Sequence, residues 1–352
     1  LVLEKCATPH GFHAAHPGYK GVWARDSMIT SLGASLLGTK FKETFKQSLI
    51  TLSNNQSKKG QIPNAILYDR IPLQVDHKSI DSTLWYIIGH YIYKNRYKDS
   101  SLMSKYNKNI KQSLIWLSYQ DFCENEMLVQ LPTTDWQDAF PHRYGHTINT
   151  QALYYKVLNL TNQKSKAKKL KSETNDNTDV NLWNGNFYLP WRWKNHNKYQ
   201  EKGEWFDSLG NLLAVIFDLA SKSQSEKIIS YIEKNSINKP YPIKAISPPI
   251  LSSSKDYQPY FEDCDARTPY HYLNAGIWTF IGGFYVLSLI KQNKIKEAEN
   301  QLEKLAEANL KNNFSEWLDG KTGIPSKDEN QAWNAGMYIL AYFSLKSKRV
   351  VL

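Results

Sequence analysis

In the segment TTDWQDAFPHRYGHTINTQALYY (residues 133–155), two acids, Asp135 and Asp138, stand among Trp136, Phe140 and Pro141. A carboxylate in aromatic company is costly unless it is paired, hydrogen-bonded or protonated. Apolar surroundings and a like charge both raise a carboxyl pKa, so such a group can stay protonated near neutral pH and serve as a general acid. Asp138, following Trp136 and preceding Phe140, has that setting. Asp135 reads as its like-charge neighbour or as a ligand for a sugar hydroxyl. A second acid, Glu316, abuts Trp317 in NNFSEWLDGKTGIPS, where DGKTG predicts a tight turn with Asp319 as its Asx residue. Read locally, Glu316 fits an exposed loop acid equally well. Hydrolysis of a glycosidic bond needs one carboxyl to protonate the leaving oxygen and another to activate water or attack carbon.

Helices must position these acids. Segments such as GIWTFIGGFYVLSLI (276–290) are apolar nearly all round, as buried helices are. They alternate with amphipathic segments such as IKEAENQLEKLAEANL, where Ile295, Ala298, Leu302 and Leu305 form one stripe at steps of three and four. FKETFKQSLITL repeats that style with Phe41, Phe45, Leu49 and Leu52. The pattern predicts inner helices beginning near Asp26, Asp81, Thr147, Asp207, Asn274 and Gln331. Outer helices are expected over 40–54, 100–119, 162–173, 223–235 and 293–311. No strand pattern competes strongly, although NFYLPWRW (186–193) could form a short ribbon. The expected fold is all-α, an (α/α)6 barrel spanning 1–352 as one domain. Its first outer helix would be missing or reduced to a remnant before Gly11.

Every inner helix is preceded by aromatic residues mixed with Asp, Asn, Glu or Gln: GVWARDS, SIDSTLW, DWQDAFPHRYGHTINTQ, GEWFDSLGN, HYLNAGIW and ENQAWNAG. An Asp at a helix start is by itself an N-cap, which accounts for Asp26, Asp81 and Asp207 singly. Capping does not demand a Trp beside the acid each time. In a barrel whose inner helices run one way, these starts share one mouth. An aromatic and carboxylate lining there suits a carbohydrate, with rings on sugar faces and acids on hydroxyls. The connections near 53–80, 174–206 and 236–273 would wall the cleft.

The 352 residues carry a net charge of +11, largely from dispersed lysines, densest in KSKAKKLK (164–171). No recognition helix, RNA-binding signature or metal-finger spacing accompanies that charge, so it reads as solvation of outer helix faces rather than a nucleic-acid surface. No run of 18 apolar residues indicates a membrane span. Cys6, Cys123 and Cys264 are too few and scattered for a disulfide framework or a Cys-rich metal site, and a reducing, cytoplasmic setting is the simplest expectation.

From GVWARDSMITSLGA to QAWNAGMYILAY the chain resembles six-hairpin glycoside hydrolases typified by amylo-α-1,6-glucosidase (glycogen debranching) domains and alkaline/neutral invertases. The ordered matches are WARDSMI, GQIPNAI, SIDSTLW, DWQDAFPHRYG, WFDSLGN, NAGIW and SEWLDGKTG. The resemblance implies Asp138 as general acid and Glu316 as general base, inversion of configuration, and neither metal nor organic cofactor. It places Arg25 and Asp26 at the glycone subsite and Gln151 at a polar position after the acid. Members commonly carry Glu where this chain has Asn149, which removes a charge from one sugar contact. WARDSMI leans towards debranching-type enzymes, TQALYY and DGKTG towards invertases.

The expectation is an exo-acting inverting hydrolase whose partner is a small oligosaccharide or glucoside, with an α-glucosyl unit at the mouth. Arg25, Asp26, Asp81, Asp135, Gln151 and Asn274 are expected near its hydroxyls. Trp23, Trp85, Trp136, Trp278, Trp317 and Trp333 are expected to supply rings, each also able to pack in the core. An inverting pair implies a carboxyl separation of about 6.5–9.5 Å. A sugar epimerase would instead need His for proton transfer, from among His13, His16, His142, His146 and His271. A non-catalytic sugar-binding barrel is the third reading.

Overall fold

The computed structural model describes residues 1–176, 178–196, 198–327 and 329–352. Thirteen α-helices are present among them. Six form the inner ring: α2 (Ala24–Ala34), α4 (Asp81–Tyr97), α7 (Ile148–Leu160), α9 (Ser208–Ile216), α11 (Thr279–Lys291) and α13 (Ala332–Lys346). Each packs on the next, and α13 packs back on α2, which closes the ring. The outer helices are α3 (Lys42–Asn54), α5 (Ser101–Lys105), α6 (Asn107–Ser118), α8 (Lys164–Asn175), α10 (Lys222–Lys234) and α12 (Ile295–Lys311). A short α1 (Val2–Cys6) lies against α13. This is the (α/α)6 barrel that the alternation of the two helix styles predicts.

Burial explains that alternation. Every residue of α11 from Thr279 to Ile290 is buried, because the helix has neighbours on both flanks and an outer layer behind it. On α12 burial is confined to Ala298, Gln301, Leu302, Leu305, Ala308 and Asn309, one face of an otherwise Lys- and Glu-rich helix. The backbones of α2 and α13 cross in close contact, where a methyl group on Gly33 would collide with the Gly336 carbonyl. Two hydrogens in place of side chains let these backbones touch.

Three local expectations change. The helix expected over 100–119 breaks at Tyr106 into α5 and α6. The fifth inner helix starts at Thr279 instead of near Asn274. The backbone of Ile277 is first held in bridges to Lys244 and Leu318. The ribbon lies slightly later than NFYLPWRW, with Trp191–His196 pairing Tyr199–Lys202 and, on its other side, His146–Thr147. A second small sheet, unannounced by alternation, pairs Gly21–Trp23 with Ala65–Leu67 and that with Gln74–Asp76. It delivers the chain into α2. No described helix is long and apolar enough to cross a membrane.

Candidate active site

The helix starts and their preceding loops meet around one cavity with about 440 Å³ of empty space, its open mouth included. Its wall holds Asp138 and Glu316, the acid Asp26 with Arg25, and the rings of Tyr19, Trp23, Trp136, Tyr272, Trp278 and Trp333, completed by Ala14 and Gln331. Eight of the residues singled out in the sequence are thereby gathered: Trp23, Arg25, Asp26, Trp136, Asp138, Trp278, Glu316 and Trp333.

Asp138 is exposed to the cavity, unlike its neighbours Trp136 and Gln137. The aromatic residues beside it form a collar, not a lid. Trp136 packs edge-on against Trp278 and Phe280, with ring centres 5.7 and 5.6 Å away, and Phe140 packs on Phe261 at 4.4 Å. Desolvation by the surrounding protein raises the Asp138 carboxyl above the usual carboxylate range. Arg25 opposes this, and the negative charges of Asp135 and Asp81 reinforce it. Glu316 is 8% exposed, and its Oε1 accepts a 3.1 Å hydrogen bond from the Tyr19 hydroxyl. Tyr272 lies near both acids. Its phenol is held well above its ordinary pKa by burial and then by the charges of Asp138 and Glu316.

Asp26 is buried beside them and pushed up to about 6, with burial as the main cause and Arg25 as the main opposition. Burial also works against the Arg25 charge, but Asp81, Asp26 and Asp138 together hold the guanidinium firmly protonated. The indole N–H groups of Trp23, Trp136 and Trp333 and the Gln331 amide nitrogen are buried and find no acceptor among the described residues. Buried donors in that state at a cavity wall suit a hydroxyl-rich ligand.

Five predicted ligands do not line the cavity. Asp81 is fully buried behind it, gripped by Arg25 at 2.8 Å. Asp135 is fully buried and bonded to Arg143 at 2.7 Å. Gln151 turns away to the Leu128 backbone, accepting from its N–H at 3.0 Å and donating to its carbonyl at 2.8 Å. Asn274 is spent on the backbone of Ile250 and Ala266. Trp317 packs beside His271 and Tyr272, behind the wall that Tyr272 forms. Trp85, the remaining candidate ring, is in the core against Phe284. The capping account of Asp26, Asp81 and Asp207 does not hold: only Asp207 stands at an N-cap, none of the three makes a side-chain capping bond, and each lies within reach of a buried guanidinium instead.

The residues that sequence reading passed over are Tyr19, Tyr272 and Gln331. Gln331 and Tyr272 stand inside the motifs ENQAWNAG and HYLNAGIW, where proximity to the helix starts was the available signal. Tyr19 precedes its motif, and only the hydrogen bond to Glu316 reveals it. None of the five candidate histidines lines the cavity. His142 meets Tyr260, His146 the Leu128 carbonyl and His271 Asp319. Among the described residues no group of three or more His, Cys, Asp or Glu side chains is arranged to hold a metal ion.

Comparison with known proteins agrees with this geometry. The family described as "Amylo-alpha-1,6-glucosidase" matches residues 2–340. A probable alkaline/neutral invertase D of Arabidopsis thaliana is 30% identical over 149 residues, covering 40% of this chain and 27% of the relative, so the shared part is about a quarter of that protein. The fold superposes on a GH63 mannosylglycerate hydrolase from Thermus thermophilus, crystallised with glucose. The TM-score is 0.75 at 12% identity, covering 97% of this chain and 98% of the other. A bacterial glucoamylase complexed with acarbose superposes with a TM-score of 0.64 at 15% identity, over 95% of this chain and 50% of that one. With nearly its whole length matched and its barrel shared with glycosidases, this chain belongs to the amylo-alpha-1,6-glucosidase family of glycoside hydrolases.

Proposed function

We propose that the protein is an exo-acting, inverting hydrolase that removes a terminal α-glucosyl unit from a small oligosaccharide or glucoside. The observation that carries this is the opening of Asp138 and Glu316 into one aromatic-walled cavity. Asp138, raised in pKa yet accessible, donates its proton to the bridging oxygen. Glu316, oriented by Tyr19, takes a proton from the water that attacks the opposite face of the sugar. Arg25 and Asp26 face the glycone hydroxyls, and Trp23 and Tyr272, two half-buried rings of the wall, stack on the sugar. No metal or organic cofactor takes part in this scheme.

A sucrose-cleaving activity is the second reading, supported by the likeness to the Arabidopsis invertase. One assay tests both. Sucrose, isomaltose, panose, trehalose, glucosylglycerate and mannosylglycerate are each incubated with the enzyme while NMR follows the first-formed anomer. Release of β-glucose from an α-glucoside is expected. Release of the α-anomer first would overturn the inverting assignment, and no release from any substrate would overturn the hydrolase reading.

A further inference from the structure

The loop that carries Asp138 is closed by an ion pair. Arg143 Nη2 donates to Asp135 Oδ2 at 2.7 Å across eight positions of chain, and neither side chain has any solvent contact. Asp135 is also bound on the loop side: its Oδ1 accepts the Gln137 backbone N–H at 3.0 Å, and its Oδ2 accepts Gln130 Nε2 at 3.1 Å. The other arm of Arg143 donates from Nη1 to Asp207 Oδ2 at 2.6 Å, where Asp207 forms the N-cap of α9. One guanidinium therefore ties both ends of loop 135–143 to each other and to an inner helix. Burial opposes its charge, and Asp135 and Asp207 keep it protonated.

We propose that Arg143 is the positioning residue of the general acid. It touches no part of the cavity. By holding Asp135 it sets the turn through Gln137 and so the place of Asp138 above the scissile bond. The role needs a planar, two-armed cation, since a single ammonium cannot reproduce two donor directions at fixed spacing. This inference rests on Asp138 acting as the acid. A displacement of the order of 1 Å at a reacting group costs about a hundredfold in rate, so the effect should be visible in turnover.

The test is Arg143→Lys, which keeps the charge, beside Asp207→Asn, which keeps an acceptor for Nη1. Steady-state kinetics are read together with 13C titration of the Asp138 carboxyl and thermal melting. In Arg143→Lys, kcat is expected to fall by about ten- to a hundredfold with KM nearly unchanged, the mark of an interaction made in the transition state. The Asp138 titration midpoint should move as well. Asp207→Asn should show the same pattern more weakly. Folded Arg143→Lys enzyme with native kcat and a native Asp138 titration would overturn the proposal, as would failure of both variants to fold, which would assign the pair to stability alone. If native enzyme cleaves no glycoside, the hydrolase reading fails instead, and the Asp138 titration in Arg143→Lys still decides whether Arg143 sets that side chain's surroundings.

Discussion

Arg25 and Asp81 meet beneath the cavity floor, with one guanidinium nitrogen 2.8 and 3.0 Å from the two carboxylate oxygens. Ser79 also bonds Asp81, and Asp26 lies 4.0 Å from the other side of Arg25. Together with Arg143, this leaves two guanidiniums among six carboxyls: Asp26, Asp81, Asp135, Asp138, Asp207 and Glu316. They cannot all be ionised at low cost in so dry a place. Asp81 and Asp135 lie against the guanidiniums at 2.8 and 2.7 Å, whereas burial holds Asp26 and Asp138, at the cavity, above the usual carboxylate range.

Asp81→Asn removes the counter-charge of a guanidinium that is 4% exposed. Breaking one side of a buried pair costs about 3–5 kcal/mol. Urea unfolding of the variant should show a loss of that size at pH 7. A change below about 1 kcal/mol would mean that Arg25 is solvated in the folded state.

Asp26→Asn should act in the opposite sense and depend on pH. The folded pKa of Asp26 is raised to about 6 from its ordinary value of 3.8. The native state therefore binds more protons than the unfolded chain between these values. Its stabilising contribution is complete below about pH 4 and is lost as pH rises through 6. The shift corresponds to roughly 3 kcal/mol. The variant should thus match the native protein near pH 4 and exceed it by up to about that amount at pH 7, read by chemical denaturation at each pH.

Asp138→Asn and Glu316→Gln should each reduce kcat by about 10²–10⁴ while circular dichroism and melting stay near native. The raised pKa of Asp138 also places loss of the protonated acid on the alkaline side of the pH–rate profile. That limb should vanish from the residual activity of Asp138→Asn. Persistence of the limb would assign it to another group.

Trp23 and Trp333 should part company when truncated. Trp333 is 5% exposed and stacks on Phe280 at 4.0 Å, so one face is already used by protein. Trp333→Ala is expected to cost about 3–5 kcal/mol of stability. Trp23 is only half-buried, and Trp23→Ala should chiefly raise KM, by about tenfold for the loss of one ring face. Melting curves and saturation kinetics of the two variants give the comparison.

Much of the barrel was legible because helix burial leaves a one-dimensional trace. The all-round apolar pattern of Thr279–Ile290 marks an inner helix, and the stripe Ala298, Leu302, Leu305 marks a half-buried outer one. Alternation of the two then dictates the ring. The place of Asp138 at the cavity was legible through its aromatic neighbours and its family motif, and that of Glu316 through its family motif alone. The break at Tyr106 and the late start at Thr279 were not, because each is set by partners distant in sequence.

The chain by itself determined which segments would gather at the mouth, since the inner helices share a direction and their starts must meet at one end. It could not determine which of those residues would face the cavity. Asp26 and Asp81 both begin inner helices beside a Trp, yet Asp26 lines the wall and Asp81 is locked behind it. Asp135 and Asp138 are three positions apart, yet one is bound to Arg143 and the other is open. Tertiary structure decided these outcomes because a buried carboxylate turns towards whichever cation the packing brings within reach. Arg25 reaches Asp81 across 56 residues of chain, and Arg143, eight positions from Asp135, is fixed in place by Asp207, 64 residues away.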